Sequence, residues 1–157
     1  QPIVNNFAVR AAEKLRNEKQ KCSQVSVFIK TSSFNKNKVQ HTGLRTVEMF
    51  GPTDDTRDIL SATKRGLLPI FKSGYEYAKA GVILNKFSNQ TFKQCSLFES
   101  FNDLKENSQL MKYIDYMNAN ETQIYFASQN TKGLSPMKQG MTSPRYTTSW
   151  HELPKVN

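Results

Sequence analysis

The sequence predicts an α+β domain whose sheet is mainly antiparallel and packed on helices. Two patterns carry this expectation. Stretches of helical and strand period are mixed along the chain rather than alternating regularly, and the spacing of the strand-like runs allows antiparallel neighbours. Size is the third consideration: 157 residues with 37% hydrophobic content suffice for one core, or for one core and a smaller satellite unit. No internal repeat is present.

Between Val4 and Leu15 the apolar residues Val4, Phe7, Ala8, Ala11, Ala12 and Leu15 recur at helical spacing, while Arg10, Glu13, Lys14 and Arg16 fill the other face. "QVSVFIKTS" then alternates, with Val25, Val27 and Ile29 on one side and Ser26, Phe28 and Lys30 on the other, as a half-buried strand does. The loop "FNKNKVQHTG" leads to a second strand, "LRTVEMF". At "PTDDTRDIL" the period changes: Thr53, Asp54 and Asp55 suit a helix start, where side-chain oxygens accept from free N–H groups and acids meet the positive end of the dipole. Ile59, Thr63, Leu67 and Ile70 would line one face, and Pro69, lacking a backbone donor, should kink or end the helix in its last turn. "YEYAKAGVILNKF" reads as a long strand whose Ala78, Ala80 and Gly81 allow close backbone approach. Leu110, Met111, Ile114 and Met117 mark another amphipathic helix, with Asn107 or Ser108 as its cap, and "QIYFASQ" reads as a short strand. The final "SPMKQGMTSPRYTTSWHELP" has the composition of a tail.

Basic residues outnumber acidic ones 22 to 13, a net charge of +9 that attracts polyanions, nucleic acid foremost; the plainer alternative is a merely basic soluble protein. No stretch approaches the roughly 18 consecutive apolar residues of a membrane span, and the charged, amphipathic start is unlike a signal peptide. The chain begins at Gln1 rather than Met, so a processed product or part of something longer is expected. Cys22 and Cys95 lie far apart without zinc-ligand spacing, which fits a reducing, cytoplasmic setting.

Catalytic patterns are sparse. A cysteine paired with His41 or His151 is the one arrangement that hydrolase chemistry offers, and neither a nucleophile elbow nor a glycine-rich phosphate loop accompanies it. Asp54, Asp55 and Asp58 fall at a helix start, where capping explains them without a two-metal centre. The basic residues say more. Lys30, Thr31, Ser32, Lys36, Lys38, Arg45, Lys79 and Lys86 fall on or beside the strands, and lysines with short hydroxyl side chains suit contacts to phosphates. Any one of them taken alone is an ordinary solvated position.

"QPIVNNFAVRAAEKLRNEKQKC", "VFIKTS", "PTDDTRDI", "YAKAGVILNKF", "QCSLF" and the terminal "SPRYTTSWHELP", in this order, resemble the C-terminal half of the UmuC-type Y-family translesion DNA polymerases of bacteria. The resemblance covers essentially the whole chain. It implies a little-finger-like DNA-binding domain over residues 1–90, a clamp-binding linker over 91–105 and a C-terminal region over 106–157. It also implies that the palm and its magnesium-binding carboxylates lie upstream, so that this chain needs no cofactor and does not polymerise DNA. Little fingers of the family run βαββαβ, and this sequence starts at what would be the first helix, so the first strand is expected to be missing. The implied role is in DNA repair and the SOS response.

The resemblance also gives meaning to "NQTFKQCSLFESF", an irregular stretch in which Leu97 and Phe98 stand side by side. Gln94, Leu97 and Phe98 match the Q-x-x-L-F pattern by which similar bacterial polymerases hook onto the sliding clamp. The glutamine would fix register by amide hydrogen bonds and the two apolar side chains would fill a pocket, worth roughly 3 to 6 kcal/mol before the cost of ordering the segment. The competing interpretation is a local plug over the domain's own core. Tyr146, Thr148 and Trp150 share one side of an extended run; the UmuD′ dimer and RecA are the partners the resemblance offers, though self-packing over the Leu110–Met117 helix is the simpler expectation. A basic α+β RNA-binding module, with Phe28 and Tyr77 as stacking rings, is the alternative function.

Overall fold

The computed structural model describes residues 2–34, 39–89, 101–120, 124–129, 142–145 and 148–153, with backbone alone over 101–108. The order is α1 (Pro2–Asn17), β1 (Gln20–Thr31), β2 (Thr42–Thr53), α2 (Thr56–Ile70), β3 (Tyr77–Asn89) and α3 (Phe101–Ala119), with a 3-10 turn at Trp150–Glu152. The strands form one sheet in the order β2-β1-β3, with β1 antiparallel to both neighbours. β2 and β3 therefore run parallel and are joined through α2, a crossover that needs a helix rather than a tight turn. This is the α+β arrangement the periodicity predicts.

The helices cover one face of the sheet: α2 packs on β1 and β2, and α1 on β3 and β1. The alternation of β1 decides which side is inside. Val25, Val27 and Ile29 point to the helices and are almost fully buried, meeting Ala8 and Ala12 of α1 and Ile59 and Leu67 of α2 in one core. Each large side chain removed from water there contributes roughly 1.5–3 kcal/mol. α2 comes close to the sheet because residue 66 is glycine: a Cβ there would stand 3.1 Å from Val27 and 3.3 Å from Val47. Asp55 caps α2 by accepting from the Arg57 N–H at 2.8 Å, which is the role the "TDD" cluster predicts. Pro69 lies in the last turn, and α2 ends one residue beyond it.

Two expectations are corrected. α3 begins at Phe101, so Asn107 and Ser108 lie inside it rather than capping it. The "QIYFASQ" stretch is not a strand over its described part, residues 124–129; it folds back on itself, with the Gln129 N–H on the Phe126 carbonyl at 2.8 Å and the Phe126 N–H on Gln129 Oε1 at 2.7 Å. Its alternation satisfied a local turn, and the sheet recruits no fourth strand among the described residues. No described helix is long and apolar enough to cross a membrane.

Candidate nucleic-acid interface

Among the described residues no helix lies over the second face of the sheet. Cross-strand pairing arranges it in rows: Thr42, Lys30 and Lys79; Leu44, Phe28 and Gly81; Thr46, Ser26 and Ile83; Glu48, Gln24 and Asn85. Each row has its own chemistry. The Phe28 ring lies down across β3, so that a Cβ on residue 81 would come within 2.5 Å of it; the glycine foreseen as a close-approach position accommodates this ring. Leu44 and Ile83 beside it are about half exposed, giving the face an apolar middle.

The polar rows below are satisfied internally. Ser26 Oγ and Thr46 Oγ1 are 2.9 Å apart, and the Asn85 amide donates to Ser26 Oγ at 2.9 Å. Lys86, whose backbone is left-handed at φ 53°, reaches the Glu48 carboxylate at 2.5 Å. That ammonium group holds the Glu48 carboxyl below its ordinary value, and the Gln24 amide adds a weaker bond at 3.4 Å. Lys86 is thus matched by an acid on the same face.

Lys30 and Lys79 differ. They are direct cross-strand partners, both exposed, at the end of the sheet where β1 finishes and β3 begins. Among the described residues neither ammonium has an acidic partner within ion-pair distance. Like charges placed directly opposite on a sheet destabilise it, by up to about 1 kcal/mol in a water-like dielectric. An anion held between them would reverse the sign.

The other residues expected at phosphates are distributed as follows. Thr31 is buried, and its hydroxyl donates to Gln40 Oε1 at 2.9 Å while accepting the His41 N–H at 3.0 Å, which closes the β1–β2 loop. Ser32 accepts weakly from the Phe34 N–H at 3.4 Å. Arg45 pairs with Val27, so alternation puts it on the helix-facing side of the edge strand β2, away from Lys30 and Lys79. Lys36 and Lys38 lie outside the described residues, as do Gln94, Leu97 and Phe98. Tyr77, offered as a stacking ring, instead pins a corner: its hydroxyl accepts the Lys72 N–H at 3.0 Å and lies 3.2 Å from His41 Nδ1. Trp150 is 88% exposed, so its ring does not pack over α3, while Tyr146, expected on the same side of the run, lies outside the described residues.

Cys22 lies in the core, where burial first and the Asp54 charge second push its thiol up to about 11, the reverse of what a thiolate nucleophile needs. Sequence reasoning missed one residue outright. Arg16, read only as part of the face of α1 opposite its apolar residues, has a side chain only 6% exposed. Its spacing on α1 carried no hint of this, because the carboxylate it meets comes from α3, 99 residues away.

A family profile described as the impB/mucB/samB family C-terminal domain matches residues 1–97, and one described only as a domain of unknown function matches residues 108–156. The chain is 39% identical to the protein UmuC of Salmonella typhimurium over 155 residues, which is 98% of this chain and 37% of that protein. It is 40% identical to SamB of Salmonella typhimurium, over 96% of this chain and 36% of the relative. MucB of Escherichia coli is 39% identical, over 98% of this chain and 36% of its own length. The chain therefore spans little more than a third of these relatives.

Proposed function

The chain belongs to the impB/mucB/samB family, whose C-terminal domain it carries, and on that footing we propose that it is the non-catalytic, duplex-gripping portion of an error-prone translesion DNA polymerase. Its open sheet face lies against the sugar-phosphate backbone of primed DNA, with one phosphate drawn between Lys30 and Lys79 and the Leu44–Phe28–Ile83 middle set against the less polar sugar edges. The observation that carries this reading is the like-charge pair on a face where Ser26, Thr46, Asn85, Glu48 and Lys86 are already matched with one another. Contacts of this kind hold a duplex without reading its sequence, as a polymerase that moves along any template requires.

The hook at Gln94, Leu97 and Phe98 tethers the same chain to the sliding clamp. A weak peptide contact joined to a duplex-gripping sheet gains avidity on the order of 10²–10⁴ when both engage at once. The exposed Trp150 offers a ring to a further protein, for which the UmuD′ dimer and RecA are the candidates.

A competition titration separates this function from RNA binding. Primed duplex of mixed sequence is expected to displace a labelled duplex from the chain at least about tenfold better than single-stranded RNA of equal length, because among the described residues the ring at the centre of the face, Phe28, lies flat across β3 rather than standing free to stack a base. Equal or better displacement by the RNA would favour the RNA-binding module.

A further inference from the structure

The helical side of the molecule, opposite the open sheet face, carries a second site centred on Arg16. This residue sits in the last turn of α1 with its guanidinium fully engaged. Nε and Nη2 hold the two oxygens of Asp115 on α3 at 2.6 and 2.7 Å, while Nη1 donates to the Asp54 carbonyl at 2.7 Å and to Thr56 Oγ1 at 2.9 Å. Thr56 is fully buried and Asp54 nearly so, at the entry to α2, so the body of the domain fixes half of the fork and aims the other half outward. The outward half receives α3.

α3 is held along a narrow stripe. Met111 is 1% exposed and lies one turn before Asp115, on the same side of the helix. Leu110, Tyr113, Tyr116 and Met117 on the same helix remain exposed. Among the described side chains of α3, residues 109–119, the attachment consists of the buried Met111, the half-buried Ile114 and one bidentate ion pair.

Departure of α3 has a particular consequence for Arg16. A buried ion pair that loses one partner ordinarily leaves a desolvated charge with nothing opposite. Here the guanidinium would keep the Asp54 carbonyl and the Thr56 hydroxyl, and its other edge would open to water where Asp115 had been. The domain can therefore release the helix without orphaning a charge in its core.

We propose that Arg16, Asp54 and Thr56 form a receptor notch for a carboxylate-bearing amphipathic helix, and that α3 is its detachable occupant. The pattern the notch accepts is an apolar side chain one turn ahead of an acid. Docking holds the start of the segment matched as a domain of unknown function on the side of the sheet away from the proposed duplex face. Release frees Met111 to join the exposed apolar residues of α3. The inference is independent of the duplex reading, because it concerns the other face.

Hydrogen exchange followed by mass spectrometry on the whole chain tests it. Asp115→Asn is expected to speed exchange of the amides of residues 109–119 about tenfold or more while leaving those of β1 and β3 unchanged, as local opening does. Met111→Ser should act in the same way. Raising salt from 0.1 to 1 M should loosen α3 in the parent chain far more than in Asp115→Asn, since only the parent has a charge pair to screen. Unchanged α3 protection in both variants would overturn the proposal. So would a parallel loss of protection in β1, which would make Asp115 part of the global core rather than a latch.

Discussion

Replacing Lys30 and Lys79 together by serine is expected to weaken binding of primed duplex about 30-fold at 0.15 M salt, and to lower the slope of log affinity against log salt by about 0.9, for the one phosphate left unneutralised. Both readouts are needed. A drop in affinity alone could follow from local distortion, whereas a change in slope counts charges released from the backbone. Stability works in the opposite sense: the like-charge repulsion between direct cross-strand partners disappears, so the double variant should unfold at the same denaturant concentration or slightly later. Changing Lys86 to serine provides the contrast, because Glu48 already matches that ammonium and its removal should alter the slope much less. If the double variant bound duplex with the parent slope, the pair would have no part in the grip.

The second large effect concerns the hook. Converting Gln94, Leu97 and Phe98 to alanine removes the register-fixing amide and both apolar side chains, and clamp binding by surface plasmon resonance is expected to fall below detection while duplex affinity stays within about twofold. A contact of micromolar strength has little to lose: truncating two buried hydrophobic anchors forfeits roughly 3–6 kcal/mol, most of its free energy. Clamp binding that survives the triple change would refute the assignment and return Leu97 and Phe98 to service as a plug on the domain's own core.

What the sequence could and could not convey follows from the range of the interactions involved. β1 was legible in its alternation because Val25, Val27 and Ile29 meet the same helical layer along the whole strand, and the α2 start was legible because Asp55 caps it within two residues. Local signals sufficed there. The separation of Arg45 from Lys30 and Lys79 was not legible, because all three lie on strands and only the register of β2 and β3 on β1 decides which share a face. The pairing of Lys86 was hidden for a related reason: its left-handed backbone and its Glu48 partner on β2 have no local signature. Arg16 was the extreme case, a charged residue in a polar stripe whose burial depends on a helix from the far end of the chain. The "QIYFASQ" alternation shows the opposite error, in which a strand-like pattern with no sheet edge recruiting it closes into a turn.

Chemical-shift mapping by NMR, with unlabelled primed duplex titrated into the isotopically labelled chain, examines the grip most directly. The account predicts that the largest shifts fall on the open face, at Lys30, Phe28, Leu44, Ile83 and Lys79, with α1 and α2 nearly silent. Shifts concentrated on α1 and α2, with the rows around Phe28 and Lys30 unmoved, would contradict it.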